Sequence, residues 1–352
     1  MNGIEVTIDI ETMSQNLNTN KILVTGAAGY IGGITCIELK RKGYTVLGID
    51  RKKVDHLEQY YDEFYNGDFT DYESFSLMKR HKPNAIIHCA GTSLVGPSHL
   101  QPGAYFHNNV SRTNLLLDFL RNNLPNTKFI FSSSAAVYGA GNDEPFTEYS
   151  RKLPISPYGE SKLMVENILE WYRKSHKISY VSFRYFNACG ANSEGLHGQM
   201  PGATHIFAQL FEAAINEKPF TLYGANYNTK DGTCIRDYIH VTDVATAHIK
   251  AIQEDLTGIF NLGTSIGTSN LECIQAVEKK LNVELVINLE LPRKGDSGIL
   301  IADSKTILLR TGWAPERNLD CIVNDLYKWY NSDVYKSLIN TRKRSYDAQP
   351  AI

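Results

Sequence analysis

Apolar residues recur along the first half of the chain in short runs, separated by longer stretches with a polar face. The runs at 21–25, 44–50, 63–65, 84–90, 127–132 and 179–187 read as strands. The stretches at 31–42, 71–81, 104–123 and 157–175 read as helices. Strand and helix alternate with short connections. That rhythm predicts an α/β fold, a doubly wound parallel sheet joined by right-handed crossovers.

The pattern changes after Asn187. Residues 188–203 are rich in Gly, Ala and Ser and read as a loop. A helix follows near 204–217, then a short strand at Phe220–Gly224. Asp237–Ile252 reads as a strand tip and helix that return to the first domain, as does Gly258–Gly263. The expected division is a first domain at 21–187, with returning segments at about 237–263, and a smaller α/β lobe from 188–236 and 264–340. In the extension at 1–20, Ile4, Val6, Ile8 and Ile10 alternate with polar residues at the period of a strand, and a frayed tail is the alternative. Residues 341–352, with Arg342-Lys343-Arg344, read as a solvated tail.

Composition narrows the partners. A net charge of −2 over 352 residues argues against nucleic acid or an anionic membrane surface. No apolar run approaches the ~18 residues needed to span a bilayer. The first 20 residues hold no Lys or Arg, unlike a signal or transit peptide. Cys36, Cys89, Cys189, Cys234, Cys273 and Cys321 are scattered, with no CxxC and no metal-ligand spacing. They read as reduced thiols of a cytoplasmic protein without a metal site. His88 and His240 lie in apolar segments and read as core histidines.

Three signals carry chemistry. Gly26-Ala27-Ala28-Gly29-Tyr30-Ile31-Gly32 follows the first strand and opens a helix. Gly26 suits a tight turn, Gly29 a close approach of backbone to pyrophosphate, and Gly32 close packing of the helix. The phosphates of a dinucleotide would lie at the helix N-terminus, where free N–H groups favour anions. Asp50 ends the next strand and suits ribose hydroxyls, which favours NAD over NADP. Arg51, Lys52 and Lys53 follow it and would also tolerate a 2′-phosphate.

The other two signals supply a proton path. Ser132-Ser133-Ser134 ends a strand, and Tyr158-Gly159-Glu160-Ser161-Lys162 opens a helix with Pro157 in its first turn and Ser156 as its cap. Tyr158 and Lys162, four apart, share one helix face. A phenol of pKa ~10 is a poor base at neutral pH. A nearby ammonium and a positive nicotinamide ring would favour the phenolate. Tyr158 would then take a proton from a substrate hydroxyl as hydride leaves the same carbon, with Ser134 bonding that hydroxyl or passing the proton on.

These motifs, with Arg184-Tyr185-Phe186-Asn187, resemble the extended short-chain dehydrogenases. Within that group the chain is similar to the UDP-galactose 4-epimerases, through Ser156–Gly159, Tyr185–Ala188, the long stretch Asp231–His240, and Arg293–Asp296. The resemblance runs from about 21 to 330. It implies a tightly held NAD and a UDP-hexose that loses hydride at C4, turns over and regains it on the other face. It implies that Asp68 and Phe69 lie at the adenine, and that Ala90, Gly91 and Asn108 line the cofactor with Tyr30, Ile31, Ser132, Phe186, Tyr158 and Lys162. Asn187 would bind the sugar diphosphate, Arg236 and Arg293 the phosphates, Asp296 a ribose hydroxyl and Tyr223 the uracil. Leu300 would stand beside the sugar, leaving some room for an N-acetyl group.

The chain also departs from the family. Ser93 replaces a common lysine, and Pro97 a common glutamate. Ala135 and Ala136 stand where sugar-nucleotide 4,6-dehydratases carry an Asp-Glu pair. Other nucleotide-sugar 4-epimerases (N-acetylhexosamine, pentose or uronate) and a silent NAD-binding regulator are the alternatives. The helices at 104–123 and 157–175 are apolar on more than one face, through Leu115, Leu116, Leu117, Phe119, Met164, Ile168, Leu169 and Trp171. Relatives pair these helices across a two-fold axis, so a homodimer is expected.

Overall fold

A computed structural model describes residues 20–140, 145–254, 256–293 and 296–347. The alternating stretch at 4–10 and the last residues of the expected tail lie outside the described residues. The helix Asp333–Asp347 runs through the first part of the segment read as a tail.

The seven strands of the main sheet are β1 (Lys21–Thr25), β2 (Thr45–Asp50), β3 (Glu63–Asn66), β4 (Ala85–His88), β5 (Lys128–Ser134), β6 (Tyr180–Tyr185) and β7 (Gly258–Leu262). All neighbours pair in parallel, in the order β7-β6-β5-β4-β1-β2-β3. The chain moves outward from β1 to β3, then crosses back to β4. That reversal places a crevice at the C-terminal ends of β1 and β4, where doubly wound sheets bind ligands.

Parallel strands are covered on both faces, so they read as continuous apolar runs. Their alternation sorts two cores. Ile22 and Val24 face one layer with Cys36 and Leu39 of α1 (Tyr30–Arg41) and Val244. Leu23 faces the other, with Leu116, Leu117 and Leu120 of α2 (Arg112–Asn123) and Val165 and Leu169 of α3 (Pro157–His176). Each fully buried aliphatic or phenyl side chain contributes about 1.5–3 kcal/mol. The helix expected at 104–123 forms as one continuous helical run with a single irregularity. A π-helical turn at Phe106–Ser111 precedes α2. Such a turn offsets the side chains that follow it and often marks a functional region.

The lobe forms a third core around Phe207, Phe211, Tyr238, Cys273, Leu326 and Trp329. Its central strand, Ile235–His240, pairs with Asn187–Cys189, Gly267–Ser269 and Ile299–Leu300. Only the helical half of the returning segment at 237–252 therefore joins the first domain. The helix Val241–Gln253 packs against the main sheet, while the strand before it belongs to the lobe.

Candidate active site

The glycine turn leaves no room for side chains. Gly26 has φ +69°, and a Cβ there would lie 2.7 Å from the Ala90 nitrogen. A Cβ on Gly32 would lie 2.1 Å from the Gly26 carbonyl oxygen, so any side chain would force the turn open. Gly29 caps α1 in extended conformation with no side-chain cap bond. The N–H groups of the first turn remain available to an anion. Asp50, at the end of β2, accepts from the N–H of Ala28 at 3.1 Å and of Lys52 at 2.9 Å. Its carboxylate is thus oriented by backbone, with lone pairs to spare for ribose hydroxyls. Turn and carboxylate fit a dinucleotide.

Asp68 is held by Arg112 and accepts from the backbone N–H of Thr70 at 3.0 Å. Phe69 stands edge-on to His88, with centroids 4.8 Å apart. His88 bridges Thr25 at 2.7 Å and Thr113 at 3.0 Å, and burial lowers its pKa to about 3. It is a neutral core histidine, bonded on both nitrogens. Asn109, in the π turn, accepts from the Thr92 N–H at 2.8 Å and donates to the Thr92 carbonyl at 3.0 Å. Asn108 donates to the Thr92 hydroxyl at 3.1 Å. The π turn thereby clasps the loop after β4 that carries Ala90 and Gly91.

Ser134 ends β5, and its Oγ accepts the Ala136 N–H at 3.2 Å. Ser156 caps α3 by accepting the Gly159 N–H at 3.1 Å, and Pro157 fills the first helical turn. The cap fixes where Tyr158 emerges. Its phenol stands beside Ser134 and is half-buried, on the wall of the cleft. Lys162 donates to the Ser132 carbonyl at 2.8 Å, and its Nζ lies 5.8 Å from the centroid of the Tyr158 ring. Burial lowers the Lys162 pKa to about 8, against the attraction of Cys89 and Glu166.

The protein's own groups hold the Tyr158 pKa above its ordinary value. Burial raises it, and neighbouring Ser134 only partly offsets that. The Lys162 ammonium donates to a backbone carbonyl, so desolvation is the larger influence on the phenol.

The lobe closes the other side. Asn187 opens the strand after β6, and Tyr223 ends the strand Phe220–Tyr223. The Arg293 guanidinium stacks 4.0 Å over the Tyr223 ring. Arg236 lies 3.5 Å from Asp296 and pairs in register with Leu300. Leu300 packs beside Phe146, Phe186 and Ala302. One cleft of about 1140 Å³ is lined by every catalytic, cofactor-binding and substrate-binding candidate read from the sequence, from Gly26, Tyr30 and Ile31 to Leu300. That volume exceeds the ~300–1,000 Å³ of an ordinary ligand pocket and suits two nucleotides side by side.

Sequence reasoning missed several residues. Glu166 lies one helical turn beyond Lys162, completing a Tyr-Lys-Glu face at i, i+4 and i+8 that was readable. It receives the Arg184 guanidinium at 2.6 and 2.9 Å and the Ser133 hydroxyl at 2.6 Å, all buried. This pair locks α3 to β5 and β6. Tyr105 stands edge-on to Tyr158 at 6.5 Å. His205 caps the helix Ile206–Ile215 at the cleft wall without a side-chain cap bond. Neither residue sits in a motif that signals its position.

A family model described as "NAD dependent epimerase/dehydratase family" matches residues 22–263. The UDP-glucose 4-epimerase of Lactobacillus helveticus is 38% identical over 327 residues, covering 89% of this chain and 97% of the relative. A UDP-glucose 4-epimerase structure from Stenotrophomonas maltophila, with bound NAD and formylated UDP-arabinopyranose, superposes with a TM-score of 0.85 at 31% identity, covering 92% of this chain and 99% of that one. The Bifidobacterium longum enzyme in complex with NAD+ and UDP gives 0.82 at 34% identity, over 90% and 99%. Sheet order, glycine turn and these likenesses over nearly the whole length agree, and the chain belongs to the NAD dependent epimerase/dehydratase family.

Proposed function

We propose that the chain is an NAD-dependent isomerase that inverts C4 of a UDP-hexose, interconverting UDP-galactose and UDP-glucose. One observation carries this reading. A single cleft joins a dinucleotide cradle, the hydroxyls of Ser134 and Tyr158, and a cationic end built from Arg236 and Arg293. Bound NAD supplies a nicotinamide that accepts hydride and returns it.

Tyr158 takes the proton of the C4 hydroxyl as the hydride departs and gives it back on return, so no net redox occurs. Ser134 holds both the phenol and that hydroxyl. Lys162, fixed by the Ser132 carbonyl, keeps a positive charge beside Tyr158 and favours the phenolate when the site is filled. Arg236 and Arg293 present forked donors to the diphosphate, and the Tyr223 face receives the uracil. The keto sugar stays held by its diphosphate while it turns over. Conversion of UDP-galactose to UDP-glucose, followed by NMR of the sugar C4 proton, tests the proposal. Absence of turnover with bound NAD present would refute it.

The exposed apolar residues Leu115, Met164 and Trp171 on α2 and α3 support a homodimer through these helices. A monomer by light scattering at micromolar concentration would contradict it. Six free cysteines fit a cytoplasmic protein. Among the described residues, no helix is long and apolar enough to cross a membrane.

A further inference from the structure

Outside the cleft lining, two histidines stand behind the glycine turn. His197 is fully buried. Its Nε2 lies 3.2 Å from the Gly29 carbonyl oxygen, and its Nδ1 lies 3.0 Å from Nε2 of half-buried His56. The His197 ring is braced edge-on by Trp329 at 6.0 Å. It also occupies the space beside Gly33, where a Cβ would lie 2.6 Å from Nε2. The same Gly29 carbonyl accepts the Gly33 N–H at 2.7 Å.

The carbonyl settles the protons. A carbonyl oxygen only accepts, so Nε2 of His197 carries the hydrogen. Burial, with His56 nearby, lowers the His197 pKa to about 3, so the ring is neutral and its Nδ1 is an acceptor. His56 must then donate from its own Nε2. One tautomer of each ring satisfies the pair.

The consequence reaches the cleft. A trans peptide points its C=O and N–H in opposite directions. The Gly29 carbonyl drawn to His197 therefore aims the Tyr30 N–H away from it, and Gly29 and Tyr30 both line the cleft. We propose that His197, its tautomer set by His56, is a positioning residue that holds the Gly29–Tyr30 peptide in the orientation that binds the cofactor pyrophosphate. This rests on the reading that the dinucleotide lies at this turn.

The test combines ¹⁵N NMR of the histidine rings with calorimetric NAD affinity of nucleotide-stripped protein. Wild-type His197 is expected in the Nε2–H form. His197→Leu is expected to raise the NAD Kd about 5–10-fold, the worth of one hydrogen bond. The KM for UDP-galactose at saturating NAD should stay unchanged. His197→Gln, whose amide can reach the same carbonyl, should restore affinity to within about twofold. Gly33→Ala keeps the histidine but fills its place, and should weaken NAD as His197→Leu does. His56→Leu frees the tautomer and should weaken NAD by a smaller factor, which covers the case in which His197→Leu does not fold.

An Nδ1–H tautomer at His197 overturns the proposal. So does unchanged affinity in Gly33→Ala and His56→Leu, or equal loss in His197→Leu and His197→Gln. Asp50→Asn and Gly29→Ala separate the two readings. If both weaken NAD while the His197 and Gly33 variants do not, only the positioning role falls. If neither weakens NAD, the placement of the cofactor falls with it.

Discussion

Replacing Lys162 with methionine should abolish activity while removing a pH-dependent cost of folding. The Lys162 ammonium is enclosed by protein, and burial lowers its pKa from the ordinary 10.5 to about 8. A tenfold change in proton affinity is worth about 1.4 kcal/mol, so this shift amounts to about 3 kcal/mol. The sign follows from proton counting. Between pH 8 and 10.5 the unfolded chain keeps the Lys162 proton while the folded chain loses it. Stability contributed by this group therefore rises with pH across that window. It is fully present above the unfolded pKa and lost as pH falls through the folded one. Lys162→Met removes the titration and leaves all other groups in place. Urea unfolding of both proteins, stripped of nucleotide so that ligand binding adds nothing, is measured at intervals from pH 7 to 10. The stability of wild type relative to the variant should climb toward a total of about 3 kcal/mol. A flat difference, or one that falls with pH, refutes the buried-ammonium argument.

Other perturbations follow from the same geometry. Tyr158→Phe should lower turnover at least ~10²-fold, the low end for a lost general base. Ser134→Ala added to it should cost less than the two single losses multiplied, because both share one proton path; fully multiplicative losses in steady-state assays would separate their roles. Glu166→Gln leaves Arg184 charged and unpaired in the core. It should destabilise the fold by about 3–5 kcal/mol in denaturant unfolding, and a loss under about 1 kcal/mol would show the pair to be dispensable. Leu300→Tyr should abolish the weak turnover expected with UDP-N-acetylgalactosamine and spare UDP-galactose. An unchanged ratio of the two rates would show that Leu300 does not control sugar size. One methylene-sized contact is worth only about 1–3 kcal/mol, so discrimination by leucine should be partial.

Much of the fold was legible because parallel strands buried on both faces leave unbroken apolar runs. Ala85–His88 is wholly buried and read as a strand at once. The site was legible where a residue type is forced by its backbone. Gly26 and Gly32 admit no side chain, and the Ser156-Pro157 cap fixes the start of α3. What was not legible depends on distant contacts. The π-helical segment within the helix at 104–123 accompanies the clasp of Asn109 on Thr92, which helical periodicity does not encode. His197 and His205 sit in a segment read as loop and helix start, with no motif to mark them. The Tyr158 pKa follows the burial of its phenol, which an argument from neighbouring charges along one helix does not register.

The central claim is that C4 is inverted by removing and returning one hydride within the site. UDP-galactose carrying deuterium at C4 tests it most directly, incubated with the protein in ordinary water without added nucleotide. The account predicts UDP-glucose that retains the deuterium at C4. Product with the label washed out to solvent, or no inversion while NAD is bound, would contradict it.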